Sequence, residues 1–174
     1  MQVNYLTYTL RKQKHIKVGD YMKIMACDPG IKGAFALLGV PKPVADLMPL
    51  CGKDIDGKAI ADMLRKVKPD LVILEKVHSM PKQGVSSTFK FGESYGRIKG
   101  ILEGLGIPYQ LVTPQEWKKV VLKGTKKDKD AAIQHVRRKY PSINLTPKPK
   151  RTPQDGIADA VCIAEYGVLM NHKD

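Results

Sequence analysis

Four carboxylates occupy positions from which they could act together: Asp28, Glu75, Asp155 and Asp159. Asp28 follows the apolar run Lys23 to Cys27, and Glu75 closes the apolar run Leu71 to Leu74. Asp155 and Asp159 are four apart at the start of a long apolar segment, so on a helix they share one face. A carboxylate at the end of an apolar segment needs a partner, because burying an unpaired charge is costly. If the four converge, cations must offset their mutual repulsion. A cluster of hard oxygen ligands suits Mg²⁺ or Mn²⁺. Two such ions roughly 4 Å apart activate a water and stabilise the leaving oxygen in phosphodiester hydrolysis. Taken singly, each acid has an ordinary reading. Asp28 equally suits the turn before Pro29-Gly30, and Glu75 a surface acid at a strand end. Asp155 also reads as a helix N-cap, and Asp159 as the partner of a basic side chain.

Positioning these residues requires an ordered set of elements. Lys23 to Cys27 reads as a strand turned by Asp28-Pro29-Gly30, with Gly33 to Leu38 as its hairpin partner. Pro41 and Pro43 interrupt the chain, and Val44 to Leu50 reads as a third strand. Asp56 to Val67 carries Ile60, Met63, Leu64 and Val67 at helical spacing. Leu71 to Leu74 is continuously apolar, as a strand buried on both faces should be. After a loop from Lys76 to Val85, a helix is expected over Ser86 to Gly104. Its Phe89, Phe91 and Tyr95 cannot all face one way. Its stripe Ile98, Leu102 and Leu105 suits core packing or a dimer interface equally. Tyr109 to Val112 is a strand. Thr113 then caps a helix with Pro114 in first position and Glu116 three after the cap. Lys123 to Lys129 is a basic loop, Asp130 to Tyr140 a helix, Ser142 to Pro153 an exposed proline-rich loop, and Gln154 to Met170 an apolar helix. This order predicts a mixed α/β domain with helices packed on a central sheet.

The 174 residues suit one domain, expected over 22–174 and preceded by a basic extension, 1–21. That extension reads as a disordered segment, a DNA-binding arm or a targeting segment. No apolar run is long enough to cross a bilayer, which takes roughly 20 residues. Lys and Arg number 30 against 17 acids, a net charge of +13. Nucleic acid is the polyanion that most often accounts for such an excess. The plainer reading is a soluble or ribosome-like basic protein. Cys27, Cys51 and Cys162 are scattered and odd in number, so they suggest neither a zinc site nor a disulfide framework.

Several segments, in order, resemble the RuvC family of Holliday junction resolvases within the RNase H-like superfamily. They are MKIMACDPGIKGAFALL from Met22, LVILEKVHSM from Leu71, FKFGESYGRIKGIL from Phe89, TPQEWKKVVLKGTKKDKDAAIQHV from Thr113 and DGIADAVCIAEYG from Asp155. The likeness covers most of the chain from Met22 onward. The stretch MPKQGVSSTFKFG from Met80 resembles phage-encoded and chloroplast-type members more than the housekeeping bacterial enzyme. The usual bacterial pattern has an acid or His three residues before the last Asp. Here Gly156 stands at that position and the acid is Asp155, an arrangement similar to the phage and chloroplast branch.

The resemblance implies an RNase H-like fold with a five-stranded mixed sheet. It implies a homodimeric crossover junction endodeoxyribonuclease that resolves Holliday junctions by paired hydrolysis, using two Mg²⁺ ions, with Mn²⁺ able to substitute. Asp28, Glu75, Asp155 and Asp159 would be the catalytic metal ligands. The loop after Glu75 would enter the junction, with His78 and Met80 as wedge candidates. Phosphate contacts are expected from Lys82, Lys90, Lys118, Lys119, Lys126, Lys127, Lys129, Lys148, Lys150 and Arg151. Lys118 and Lys126 carry the stronger case, because their segment matches the family. The implied compartment is the cytoplasm, a host cell's for a phage protein, or an organelle if residues 1–21 are a targeting segment. Competing readings are a broader fork or flap nuclease, a non-catalytic DNA-binding protein on the same fold, and a sugar-kinase-like ATPase. The last needs two lobes and a second phosphate loop, for which the chain looks too short.

Overall fold

The computed structural model describes residues 22–76, 84–126 and 129–171. Strands β1 (Ile24–Asp28), β2 (Ala34–Leu38), β3 (Val44–Leu47), β4 (Leu50–Cys51) and β5 (Asp54–Ile55) lead into helix α1 (Gly57–Val67). Then follow β6 (Leu71–Glu75), α2 (Val85–Gly104), β7 (Tyr109–Val112), α3 (Pro114–Val121), α4 (Lys129–Lys139) and α5 (Asp155–Asn171). The main sheet has five strands in the order β3-β2-β1-β6-β7. β1 pairs antiparallel with β2, β2 antiparallel with β3, and β1 and β7 each parallel with β6. The mixed α/β sheet expected from the sequence is therefore present.

Strand alternation divides the core in two. Ile24 and Ala26 of β1, with Leu71 and Ile73 of β6, face a layer built from α3, α4 and α5. Met25 and Cys27, with Val72 and Leu74, face α1 and α2 through Ile60, Leu64, Ile98 and Leu102. Sheet faces covered on both sides account for the unbroken apolar runs of β1 and β6. Helix α5 lies against β1 and β2, and ten of its residues are buried, so its apolar character extends around the helix.

Two expectations change, and one left open is decided. The third strand ends at Leu47: Met48 N–H still bonds the opposite Gly33 carbonyl (3.0 Å), but Pro49 has no N–H to continue the ladder. Leu50–Cys51 instead pairs with Asp54–Ile55 in a separate two-stranded ribbon. The Ile98, Leu102 and Leu105 stripe packs into the core under α2 and is not a free interface. The loop Ser142 to Pro153 is not wholly exposed: Ile143 and Leu145 are buried, and the Leu145 carbonyl accepts from Gln154 N–H at 2.8 Å. Of the three aromatics on α2, Tyr95 packs against the core while Phe89 is 74% exposed. Among the described residues no helix is long and apolar enough to cross a membrane.

Candidate active site

Asp28 and Glu75 are the last residues of two adjacent parallel strands, with Cys27 registered against Leu74. Asp28 is thus inside its strand, not in the turn beyond it. Alternation places Asp28 on the face of Ile24 and Ala26, and Glu75 on the face of Leu71 and Ile73. That is the face covered by α5. The two acids therefore stand side by side at one edge of the same layer, beneath the helix that carries Asp155 and Asp159.

Two close approaches hold the start of α5 there. Gly33 sits so tightly under the end of β1 that an added Cβ would collide with the Asp28 carbonyl oxygen. Gly156 lies against the β1–β2 turn; a Cβ there would collide with the Lys32 carbonyl oxygen and sit 3.0 Å from Gly33 Cα. This explains the glycine in the position where an acid or His is usual in the resembled family. The backbone is too close to the turn for any side chain at 156, and the acid stands one residue earlier.

Electrostatics link the carboxylates in pairs. Asp28 is pushed up to about 7, first by burial, then by the charge of Glu75, with a smaller push from Asp155. The Gly30 N–H, 3.4 Å from Oδ1, opposes this. Glu75 is also raised, mainly by burial and also by Asp159, while the indole of Trp117 and the charge of Lys118 pull it down. The Cys27 thiol, buried on the opposite face of the sheet under α1 and α2, is raised by burial and by both acids. Among the described residues no three His, Cys, Asp or Glu side chains form a ready-made metal-binding group. The carboxylates approach pairwise instead. Hard oxygens whose crowding disfavours full ionisation are the donor type that a hard divalent cation would take, and these are the residues that could hold one.

Trp117 belongs to this site, and sequence reading passed over it. The capping box at Thr113 starts α3 directly after β7: Thr113 N–H donates to Glu116 Oε2 (2.7 Å), and Glu116 N–H to Thr113 Oγ1 (3.3 Å). Val112, just before the cap, is registered opposite Glu75. One turn into α3, the indole Nε1–H of Trp117 therefore reaches Glu75 and donates to Oε1 at 2.8 Å. The signal available in sequence was a single tryptophan beside Lys118 in a well-capped helix.

The basic candidates divide. Lys118 is half-buried, 5.1 Å from the centroid of the Trp117 ring, and acts on Glu75 electrostatically, so it joins the site. Lys119 and Lys126 are exposed on α3 and just after it, and Lys148, Lys150 and Arg151 on the loop leading into α5. Lys90 is exposed on α2. His78, Met80, Lys82 and Lys127 lie outside the described residues, as do the side chain of Lys129 and the extension 1–21.

Compared with models of known protein families and with curated protein sequences, the chain matches none. Among solved structures it is similar to RuvC of Thermus thermophilus, at 19% identity over 82% of this chain and 91% of that one, with a TM-score of 0.54. It is also similar to T. thermophilus RuvC in complex with a Holliday junction substrate, at 19% identity over 88% of this chain and 99% of that one, TM-score 0.61. The crystal structure of the yeast mitochondrial Holliday junction resolvase Ydc2 matches at 14% identity over 83% of this chain and 77% of that one, TM-score 0.50. At these identities the likeness is one of fold. The chain has the RNase H-like fold, in the form that RuvC takes.

Proposed function

We propose that the chain is a divalent-metal-dependent endonuclease for branched DNA, acting on four-way junctions as a homodimer. The observation that carries this is the placement of Asp28 and Glu75 side by side on adjacent strand ends, under the helix bearing Asp155 and Asp159. Those four residues would hold two Mg²⁺ ions, with Mn²⁺ able to replace them. Bound there, the ions would supply an activated water and charge neutralisation at the leaving oxygen. The residues themselves gather hard oxygens at a strand edge, where burial keeps bulk water from screening them. Lys118 adds a fixed positive charge beside Glu75 that can steady a phosphate. Hydrolysis adds one water across one P–O bond and leaves ends that can be ligated.

The rest of the reading rests on the family resemblance of the sequence and on the fold shared with structures of junction resolvases. A dimer with two equivalent sites suits the two-fold symmetry of a four-way junction. The likeness to phage and chloroplast-type members rests on the segment from Met80 to Gly92. A panel of substrates tests the function: a mobile four-way junction, a Y-fork, a nicked duplex and an RNA–DNA hybrid, each with Mg²⁺, Mn²⁺ or Ca²⁺. The expected result is paired cutting of the junction with Mg²⁺ or Mn²⁺, abolished in Asp28→Asn while junction binding persists. Cleavage by Asp28→Asn at the wild-type rate would sink the metal assignment. Preference for the fork would redirect the reading to a broader debranching nuclease. Binding with no response to any metal would make the chain a non-catalytic scaffold.

A further inference from the structure

Trp117 is fully buried, and its ring packs within the α3–α5 layer of the core. An indole N–H in such a place needs an acceptor. The acceptor it has is not a backbone carbonyl but the side chain of Glu75, forty-two residues away in sequence. Among the described residues the indole is the one hydrogen-bond partner of that carboxylate. The geometry is fixed from both ends. Glu75 is held by the β6–β7 register, where Lys76 N–H donates to the Val112 carbonyl at 2.6 Å. Trp117 is held by the first intrahelical bond of α3, its N–H to the Thr113 carbonyl at 3.3 Å, behind the capping box. Lys118 lies across the indole ring.

We infer that Trp117 is a positioning residue for metal binding: its indole N–H secures Glu75 Oε1, fixing the carboxylate rotamer and leaving Oε2 to ligate a divalent cation. This rests on the nuclease reading above, in which Glu75 is a metal ligand. Residues that orient a ligand through a hydrogen bond commonly change metal affinity about 10- to 100-fold when removed. A purely structural tryptophan would have no such effect, because its ring fills the same volume whether or not its N–H is used.

The chain contains one tryptophan, so Trp117 also reports on its own bond. The test uses the full chain without DNA, titrated with Mg²⁺ and followed by tryptophan emission and by calorimetry in parallel. In the wild type, emission should change saturably with the calorimetric midpoint, and Glu75→Gln should abolish the emission change. Trp117→Phe keeps a ring in the core but deletes the donor. Its calorimetric Mg²⁺ affinity should fall about 10- to 100-fold. Half-saturating Mg²⁺ for junction cleavage should rise by the same factor, while the rate at saturating Mg²⁺ stays within a few-fold of wild type. A folded Trp117→Phe with wild-type Mg²⁺ affinity overturns the inference and leaves the nuclease reading standing. If Trp117→Phe does not fold, the wild-type titration decides: Mg²⁺ binding seen by calorimetry with unchanged emission is equally fatal to the inference. A wild type that neither binds Mg²⁺ nor cuts overturns the nuclease reading itself, and the inference with it.

Discussion

Asp28 is an acid whose surroundings oppose its charge. It stands at the C-terminal end of the central strand β1, half-buried, next to Glu75 and near Asp155, with one long bond from Gly30 N–H as compensation. Its pKa in the fold is about 7 against an ordinary 3.8. A raised carboxyl pKa makes the folded state the tighter binder of the proton. Below about pH 4 both folded and unfolded chains are protonated there, and Asp28 costs nothing. As pH rises from about 4 to 7 the unfolded chain gives up the proton first, so stability falls; above about 7 the loss is complete. The gap between the two pKa values caps that loss at about 4 kcal/mol. Asp28→Asn keeps an oxygen for Gly30 N–H and removes the charge. Without divalent cations the variant should melt several degrees above wild type at pH 8, and the gap should close as pH is lowered toward 4. Thermal melts in EDTA across that range check this. A gap that is constant with pH would mean that Asp28 titrates normally.

At the scale of elements, α5 brings the second pair of acids to the first, and its N-terminus is seated by contact between backbones. Gly156 rests on the Lys32 carbonyl, and Gly33 leaves room for the end of β1. Further along, α5 is tied to α4 by Glu165. This buried carboxylate has its Oε2 at 2.7 Å from His135 Nε2 and its Oε1 at 2.6 Å from Lys139 Nζ. Tyr140 also meets Glu165, and its phenol is raised by burial and by that charge. The helix is thus anchored at its middle by charge and at its start by shape. Gly156→Ala should disturb only the start. Overpacking of this kind costs about 1–3 kcal/mol, and the cleavage rate should fall by far more than the loss of folded protein explains, because Asp155 and Asp159 move with the helix end. Comparing cleavage with the folded fraction from circular dichroism tests this. Activity that follows the folded fraction one for one would show that the seat of the helix does not set the site.

Over the whole sequence 30 basic residues stand against 17 acidic ones. Lys119, Lys126, Lys148, Lys150 and Arg151 are exposed on segments next to α3 and α5, the helices that frame the site. Positive charge around a carboxylate nest would draw phosphates in and leave the acids for cations. Binding of a labelled four-way junction by Asp28→Asn should therefore weaken steeply with salt. Contacts to about six phosphates would lower affinity about 10³-fold between about 50 and 200 mM. Fluorescence anisotropy at several salt concentrations gives the slope, and a flat profile would contradict a phosphate-led interface. Lys150→Ala with Arg151→Ala should reduce that slope without changing the Mg²⁺ affinity of the free protein.

The order of the main strands and helices, a mixed α/β domain and the acids to watch were legible in the order of residues alone; the β4–β5 ribbon was not, and the five-stranded mixed sheet was implied by the family resemblance. The legible features depend on local physics: the apolar runs of β1 and β6, the helical spacing of Ile60, Leu64 and Val67, and the Thr113-Pro114-Glu116 cap all act within a few residues. Which faces these elements would share was not legible. The stripe Ile98, Leu102 and Leu105 suited a core or an interface equally, and only packing against the sheet decided it. The same holds at the site. Asp28 and Glu75 share a face because β1 and β6 pair in one register, and a slip of one residue would send Glu75 to the opposite layer. The bond from Trp117 to Glu75 spans forty-two residues, and the demand for glycine at 156 comes from the distant turn that holds Lys32 and Gly33. Such contacts exist only once distant segments have packed, so residue type and spacing could nominate the acids of this site, while strand register and helix seating decided that Asp28 and Glu75 stand side by side beneath α5.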